Sequence, residues 1–180
     1  VDGMPVVWAS RLLGKPLKER VAGVDLFDNR IVSAEQKHWR VYLLGAKDSV
    51  LTRTIEVLKT THPKLIVAGQ RNGYWADSEE SAVIEDVRQA RADLLFVAIS
   101  SPKKEIFLGK YQKLMNVPFS MGVGGTFDVV AGLTKRAPQW MQRAGLEWFY
   151  RFLQEPRRMF RRYFIEDMYF FWLLTKEVFS

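Results

Sequence analysis

The sequence predicts an α/β fold: a Rossmann-like, mostly parallel sheet with flanking helices, followed by a helical C-terminal appendage that is basic and aromatic. Three observations predict it. From residue 40 onward, short apolar runs ending in glycine alternate with helix-length amphipathic stretches. The run DLLFVAIS (93–100) is almost continuously apolar, as a strand covered on both faces must be. After residue 135 the strand pattern stops. The α/β core is therefore expected over residues 1–134 and the appendage over 135–180. A chain of 180 residues, 48% of them hydrophobic, can bury one sizeable core.

In chain order, an apolar helix-like stretch follows Val1-Asp2-Gly3, with Asp2 placed as an N-cap, and another helix starts at Asp25. RVYLLG (40–45) is the first strand, and the helix near 47–61 carries Val50, Ile55 and Leu58 on one face. KLIVAG (64–69) repeats the strand with a glycine ending. Asp77-Ser78-Glu79-Glu80 opens a helix to about residue 91, with Ala82, Val83, Val87 and Ala90 as its buried stripe. Residues 93–100 form the third strand, Pro102 begins the next helix, and VPFSMGVGG (117–125) supplies the fourth strand and its turn. Strands alternating with helices of this length call for right-handed crossovers in a parallel sheet.

Composition removes several functions. With no cysteine, disulfides, thiolate-bound metals and a thiol nucleophile are excluded, and His38 and His62 alone are a poor basis for a metal site. The longest apolar run, MYFFWLL (168–174), falls far short of the ~20 residues of a membrane span. No basic n-region opens a signal peptide, and a start at Val1 rather than methionine suggests part of a longer chain. The formal charge of +7 is concentrated: Lys135, Arg136, Arg143, Arg151, Arg157, Arg158, Arg161 and Arg162 stand against Glu147 and Glu155. Such a patch implies a polyanionic partner or surface.

Three stretches are candidates for chemistry. In MGVGGTFDVVAG (121–132), glycines at a strand-to-helix turn allow close backbone approach to a ligand, although the spacing is not that of a dinucleotide fingerprint and a plain tight turn is, taken alone, the simpler explanation. SPKKEIF (101–107) follows the apolar strand, so Lys103, Lys104 and Glu105 lie beside that turn if the two strands are neighbours. Arg20 precedes a glycine in ERVAGVDLFD (19–28), where a salt-bridged loop arginine is the simpler explanation. Asp-x-Asp and the P-loop pattern are both missing. Charge on a leaving diphosphate would then be met by arginine, lysine and amide dipoles, with no metal or other cofactor.

Taken together and in order, VDG, RVAGVDL, VYLLGA, NGYW, PKKE, GVGGTFDVVAG, KRAP and LEWFYRFLQEPRR resemble the WecG/TagA/CpsF glycosyltransferases, glycosyltransferase family twenty-six, over nearly the whole chain. The resemblance implies a bacterial, inverting, metal-independent enzyme. It would move a hexose, of the N-acetylmannosamine type or related, from a UDP-sugar to an undecaprenyl-diphosphate-linked sugar during cell-surface polysaccharide synthesis. It would work on the cytoplasmic face of the plasma membrane as a peripheral protein. Carried over by motif, Asp2 is the general base, Arg20 is a substrate-binding residue, and Arg151, Arg158 and Arg161 grip the diphosphate. Asn72, Pro102, Lys103, Lys104, Gly122, Gly124, Gly125, Thr126 and Asp128 line the substrate site. Lys104 stands where the family usually has glutamine and Val1 where it has proline, which leaves the donor sugar open. The family also carries a further N-terminal region, with a Thr-x-Asn element, ahead of the position where this sequence begins.

Pro156 should divide the basic tract into two helical segments. On the second, Arg157, Arg158, Arg161 and Arg162 occupy an arc of about 140°, while Met159, Phe160, Tyr163, Phe164, Phe170, Phe171 and Leu174 fill the opposite side. That pattern suits a helix on an anionic membrane surface, and it suits an amphipathic helix packed on its own core. The aromatics around 163–174 are also compatible with homo-oligomer formation. Two other classes are compatible with the tract: a nucleic-acid-binding module, against which the absence of any recognised motif counts, and a catalytically inactive membrane-associated scaffold.

Overall fold

The computed structural model describes residues 3–18, 20–161 and 168–178. In chain order the elements are α1 (Met4–Leu12), α2 (Gly23–Lys37), β1 (Arg40–Gly45), α3 (Asp48–Thr61), β2 (Ile66–Arg71), a 3₁₀ turn (Asp77–Glu79), α4 (Glu80–Gln89), β3 (Leu94–Ala98), α5 (Lys103–Met115), β4 (Phe119–Gly122), α6 (Thr126–Val130), α7 (Gln139–Arg143), α8 (Glu147–Gln154), α9 (Pro156–Arg161) and α10 (Met168–Val178). They fall into two compact units: Gly23–Leu133, and Val1–Ala22 together with Thr134–Ser180.

The unit Gly23–Leu133 is an α/β layer structure. Its four strands are all parallel, in the order β2-β1-β3-β4. Side chains alternate across a strand, so Val41 and Leu43 join Phe96 on one face, and Tyr42 and Leu44 join Leu95 and Val97 on the other. The first face is covered by Phe27 and Ile31 of α2, Leu51, Ile55 and Leu58 of α3, and Phe127 of α6. Phe27 meets the Phe96 ring edge-on at 4.7 Å. The second face is covered by Val83 and Val87 of α4 and Phe107 and Met115 of α5. Double coverage is why β3 is buried at every position and reads as an unbroken apolar run. Thr54, fully buried on α3, donates its hydroxyl to the carbonyls of Val50 (2.8 Å) and Phe127 (3.1 Å), which fastens α3 to α6.

The expected elements of this unit form, with two shifts. The second strand starts at Ile66 and runs through Gly69 to Arg71. Gly69 is no terminator: a Cβ there would stand 2.6 Å from Cε2 of Tyr42, so glycine makes room for the tyrosine ring. The helix expected from residue 77 opens as a 3₁₀ turn, and Ala82 is exposed while Ile84 packs against the core. The Tyr42 hydroxyl donates to Asp86 (2.7 Å), and burial first, then that bond, raises its pKa far above the usual phenol range.

In the other unit, α1 is preceded by Gly3 in the N-cap position with no side-chain cap, and Asp2 lies outside the described residues. Gly145 (φ +74°) turns the chain between α7 and α8 so tightly that a Cβ would lie 2.9 Å from Cε of Met4. The helix breaks at Pro156, dividing α8 from α9. The Gln154 amide clips back to residue 135, donating to the Lys135 carbonyl (2.9 Å) and accepting its N–H (3.0 Å). Met159 is buried, whereas Phe160, Met168, Tyr169, Trp172 and Leu173 are exposed. Among the described residues no helix is long and apolar enough to cross a membrane.

Candidate functional site

In the α/β unit, the chain leaves β1 toward β2 on one side and reaches β3 on the other. Open parallel sheets bind ligands beyond the carboxyl ends of the strands at such a reversal. The loops there are stitched by backbone bonds. Ala46 N–H donates to the Ala98 carbonyl (2.9 Å), Gly73 N–H to the Ala46 carbonyl (2.8 Å), and Val123 N–H to the Val97 carbonyl (2.9 Å). Gly45 (φ +124°) permits this: a Cβ would be 2.5 Å from the Ala98 carbonyl carbon and oxygen, which are backbone and cannot withdraw.

Onto this floor come the side chains singled out by sequence. Asn72 donates its amide to both oxygens of Asp48 (3.0 and 3.1 Å) and accepts the Tyr74 N–H (2.9 Å), so it shapes the NGYW loop and fixes it to the start of α3. Pro102 takes the N-cap position of α5. The Lys103 ammonium sits 4.9 Å from the centroid of the Trp75 ring, a cation–π contact. Lys104 extends its stem across Gly122, where a Cβ would be 2.4 Å from Cδ and 2.5 Å from Cε. Its ammonium ends 3.0 Å from Glu105. Burial works against the Glu105 charge, but bonds from Lys104, its own amide and Ser101 leave the carboxyl below its usual range.

The turn after β4 divides its labour. Gly122 leaves room for the Lys104 stem that crosses it. Gly124 (φ +53°) adopts the left-handed conformation with open space where a side chain would be. Gly125 is the N-cap of α6, and the buried Thr126 donates its hydroxyl to the Val123 carbonyl (2.7 Å), bracing the turn from within. Asp128, half-buried, stands in the first turn of α6.

The other unit gathers arginines. Arg20 forms an ion pair with Glu147, the first residue of α8, and Arg136 approaches the second oxygen of the same carboxylate at 3.5 Å. Arg20 is only 15% exposed and Glu147 22%. One turn along α8, on the same face as Glu147, lies Arg151, whose Nε is buried with no hydrogen-bond partner. The side chains of Arg158 and Arg161 lie outside the described residues, although their backbone belongs to α9.

The structure thus brings Lys103, Lys104 and Gly122 to one crown with Trp75 and the Asn72 loop, and Arg20 to one carboxylate with Arg136. Sequence reasoning missed Glu147, Arg136, Trp75 and Gly45 as organisers. The signal for Glu147 was its i, i+4 spacing from Arg151 within LEWFYR.

A family model described as the glycosyl transferase WecG/TagA/CpsF family matches residues 1–180. Among curated proteins, the chain is 42% identical over 157 residues to an N-acetylglucosaminyldiphosphoundecaprenol N-acetyl-β-D-mannosaminyltransferase of Bacillus spizizenii, which covers 87% of this chain and 60% of that protein. It is 39% identical to the Bacillus subtilis protein of the same name, over the same shares. The chain therefore spans about 60% of the length of these relatives.

Proposed function

The chain belongs to the WecG/TagA/CpsF family of glycosyl transferases, and we propose that the protein transfers a hexose of the N-acetylmannosamine type from a UDP-sugar to a sugar carried on undecaprenyl diphosphate. The relatives' names supply the acceptor and the sugar. The observation that carries the reading is the arginine cluster on Glu147: two guanidiniums converge on one carboxylate, and the buried Nε of a third has no partner. Such a group suits a diphosphate, because guanidinium forks match phosphate oxygens with charge-assisted bonds.

In this reading the reaction is a single displacement with inversion. The acceptor hydroxyl oxygen bonds to the anomeric carbon as that carbon's bond to the diphosphate breaks. The hydroxyl proton passes to Asp2, and UDP departs with its new negative charge met by Arg20, Arg151, Arg158 and Arg161. The strand-end crown of Lys103, Lys104 and the Gly122–Thr126 turn takes a substrate sugar. The exposed aromatics Tyr169 and Trp172 of α10 and the neighbouring basic tract suit an anionic membrane surface, where a lipid-linked acceptor resides. Work at the cytoplasmic membrane face follows from the nature of both substrates.

The test is UDP release by the full-length protein supplied with a UDP-N-acetylhexosamine and a lipid-diphosphate-linked N-acetylglucosamine. Acceptor-dependent release is expected, and Asp2→Asn should lower kcat by about 10²–10⁴-fold with little change in UDP binding. A full-length protein that binds neither UDP nor the donor would overturn the assignment, and an unchanged kcat in Asp2→Asn would remove Asp2 from its role.

A further inference from the structure

We infer that α1 and the loop behind it, residues 4–18, form a second membrane-docking element that recognises an anionic lipid surface, an inference that rests on the transferase reading, in which the acceptor is carried on a lipid. In α1, Val7 and Ala9 are buried, whereas Trp8 is 48% exposed and Leu12 64%. Arg11 lies three positions after Trp8 and Leu12 four, so the three share one face of the helix. Wound as an α-helix they span an arc of about 100°. A tryptophan, with an apolar body and a single N–H, favours the boundary between hydrocarbon and water. The helix belongs to the same compact unit as α8, α9 and α10.

The charge around this face has one sign. Between Asp2 and Glu19 the chain carries Arg11, Lys15 and Lys18 and no carboxylate. All three are exposed, and among the described residues none of them has an ion-pair partner. The loop is held in place: the Ser10 hydroxyl donates to the Val7 carbonyl (2.7 Å) and accepts the Leu17 N–H (3.0 Å), and the Lys15 N–H donates to the Ser10 carbonyl (2.8 Å). Those bonds keep Lys15 at the same end of the helix as Arg11 and Leu12. A soluble polyanion gives no reason to expose Leu12 beside Trp8, and an apolar protein groove gives none for three unopposed cations. An anionic bilayer satisfies both at once: the apolar pair enters the boundary between headgroups and acyl chains, while the long cationic stems reach the phosphates. In sequence Asp2 stands two positions ahead of α1, so a docked α1 would tether the proposed base at the surface that carries the acceptor.

The experiment measures sedimentation of the full-length protein with vesicles of phosphatidylcholine alone and of phosphatidylcholine mixed with phosphatidylglycerol. It compares the wild type with the apolar variant Trp8→Ala/Leu12→Ala and the charge variant Arg11→Gln/Lys15→Gln/Lys18→Gln. The wild type should partition onto the mixed vesicles, less so as salt rises. The apolar variant should partition about tenfold more weakly. The charge variant should also lose about tenfold on the mixed vesicles, with no change on phosphatidylcholine alone. Melting temperature and UDP binding, measured on the same samples, should match the wild type. Wild-type partition in both variants would overturn the proposal, and is the result expected if another segment of the full-length chain or a protein partner covers α1. A partition loss accompanied by a lower melting temperature or weaker UDP binding would make the role structural and overturn it too, as would an equal loss by the charge variant on both kinds of vesicle. Absence of acceptor-dependent UDP release in the wild type would instead overturn the transferase reading, leaving the vesicle result to stand by itself.

Discussion

Replacing Gly122 by alanine tests whether the glycine serves the lysine. The new Cβ would stand 2.4, 2.5 and 3.1 Å from Cδ, Cε and Cγ of Lys104, where carbon atoms ordinarily rest at about 3.5–4.0 Å. Gly122 ends β4 in register with Val97 of the central strand β3, so the strand holds and the stem must retreat by about 1 Å or more. That retreat takes the ammonium out of its 3.0 Å contact with Glu105. The pair is half in solvent, with Glu105 54% exposed, so its loss costs at most about 1 kcal/mol. Overpacking against a flexible stem falls at the low end of the usual range, about 1 kcal/mol. The sum is about 1–2 kcal/mol of stability. Urea unfolding of Gly122→Ala, Lys104→Ala and the double variant measures it. With the stem removed, the alanine should cost less than about 0.5 kcal/mol, so the cycle should show a coupling of about 1 kcal/mol or more. If Gly122→Ala costs as much in the Lys104→Ala background as in the wild type, the lysine is not the reason for the glycine.

Gly45→Ala meets backbone rather than side chain, at a φ of +124°, and should cost about 3 kcal/mol or more in the same unfolding assay; a loss under about 1 kcal/mol would contradict the close approach of β1 to β3. Glu35 is held below the usual carboxylate range by a bond from His62 first and the Lys64 amide next. A carboxyl whose folded pKa lies below its unfolded one stabilises fully above the unfolded value and loses that contribution as pH falls through the folded value. Wild type should therefore melt above Glu35→Gln at neutral pH, with the gap closing below about pH 4; a gap constant with pH would refute the ionised strap.

What the sequence made legible follows from which forces act locally. β1 and β3 could be placed because a strand covered on both faces must be apolar throughout, and α3 because its buried positions recur at helical spacing. β2 was displaced because Gly69 reads as a strand end, whereas its true cause is the Tyr42 ring on the neighbouring strand. That cause is a tertiary contact and leaves no trace in the local pattern. The neighbour of Gly122 is likewise invisible locally: the stem of Lys104, on α5, crosses it. Among the arginines, a single loop position such as Arg20 carries no local signal, and its partner Glu147 is 127 positions away.

The two units differ in how they treat cationic side chains, and the difference bears on what each can recognise. In the α/β unit the two lysines at the strand ends are already engaged, Lys104 by Glu105 and Lys103 by the face of Trp75. Lys104 thus shares its charge with a half-exposed carboxylate, while Lys103 keeps its charge against a neutral ring. In the other unit, Arg20 and Arg136 share one carboxylate, and Arg151 keeps a buried donor unsatisfied. A buried donor without a partner costs about 1–3 kcal/mol, a cost that folding alone does not recover and that a bound anion would. On the proposed function, the arginines would meet the diphosphate and the strand-end loops the sugar.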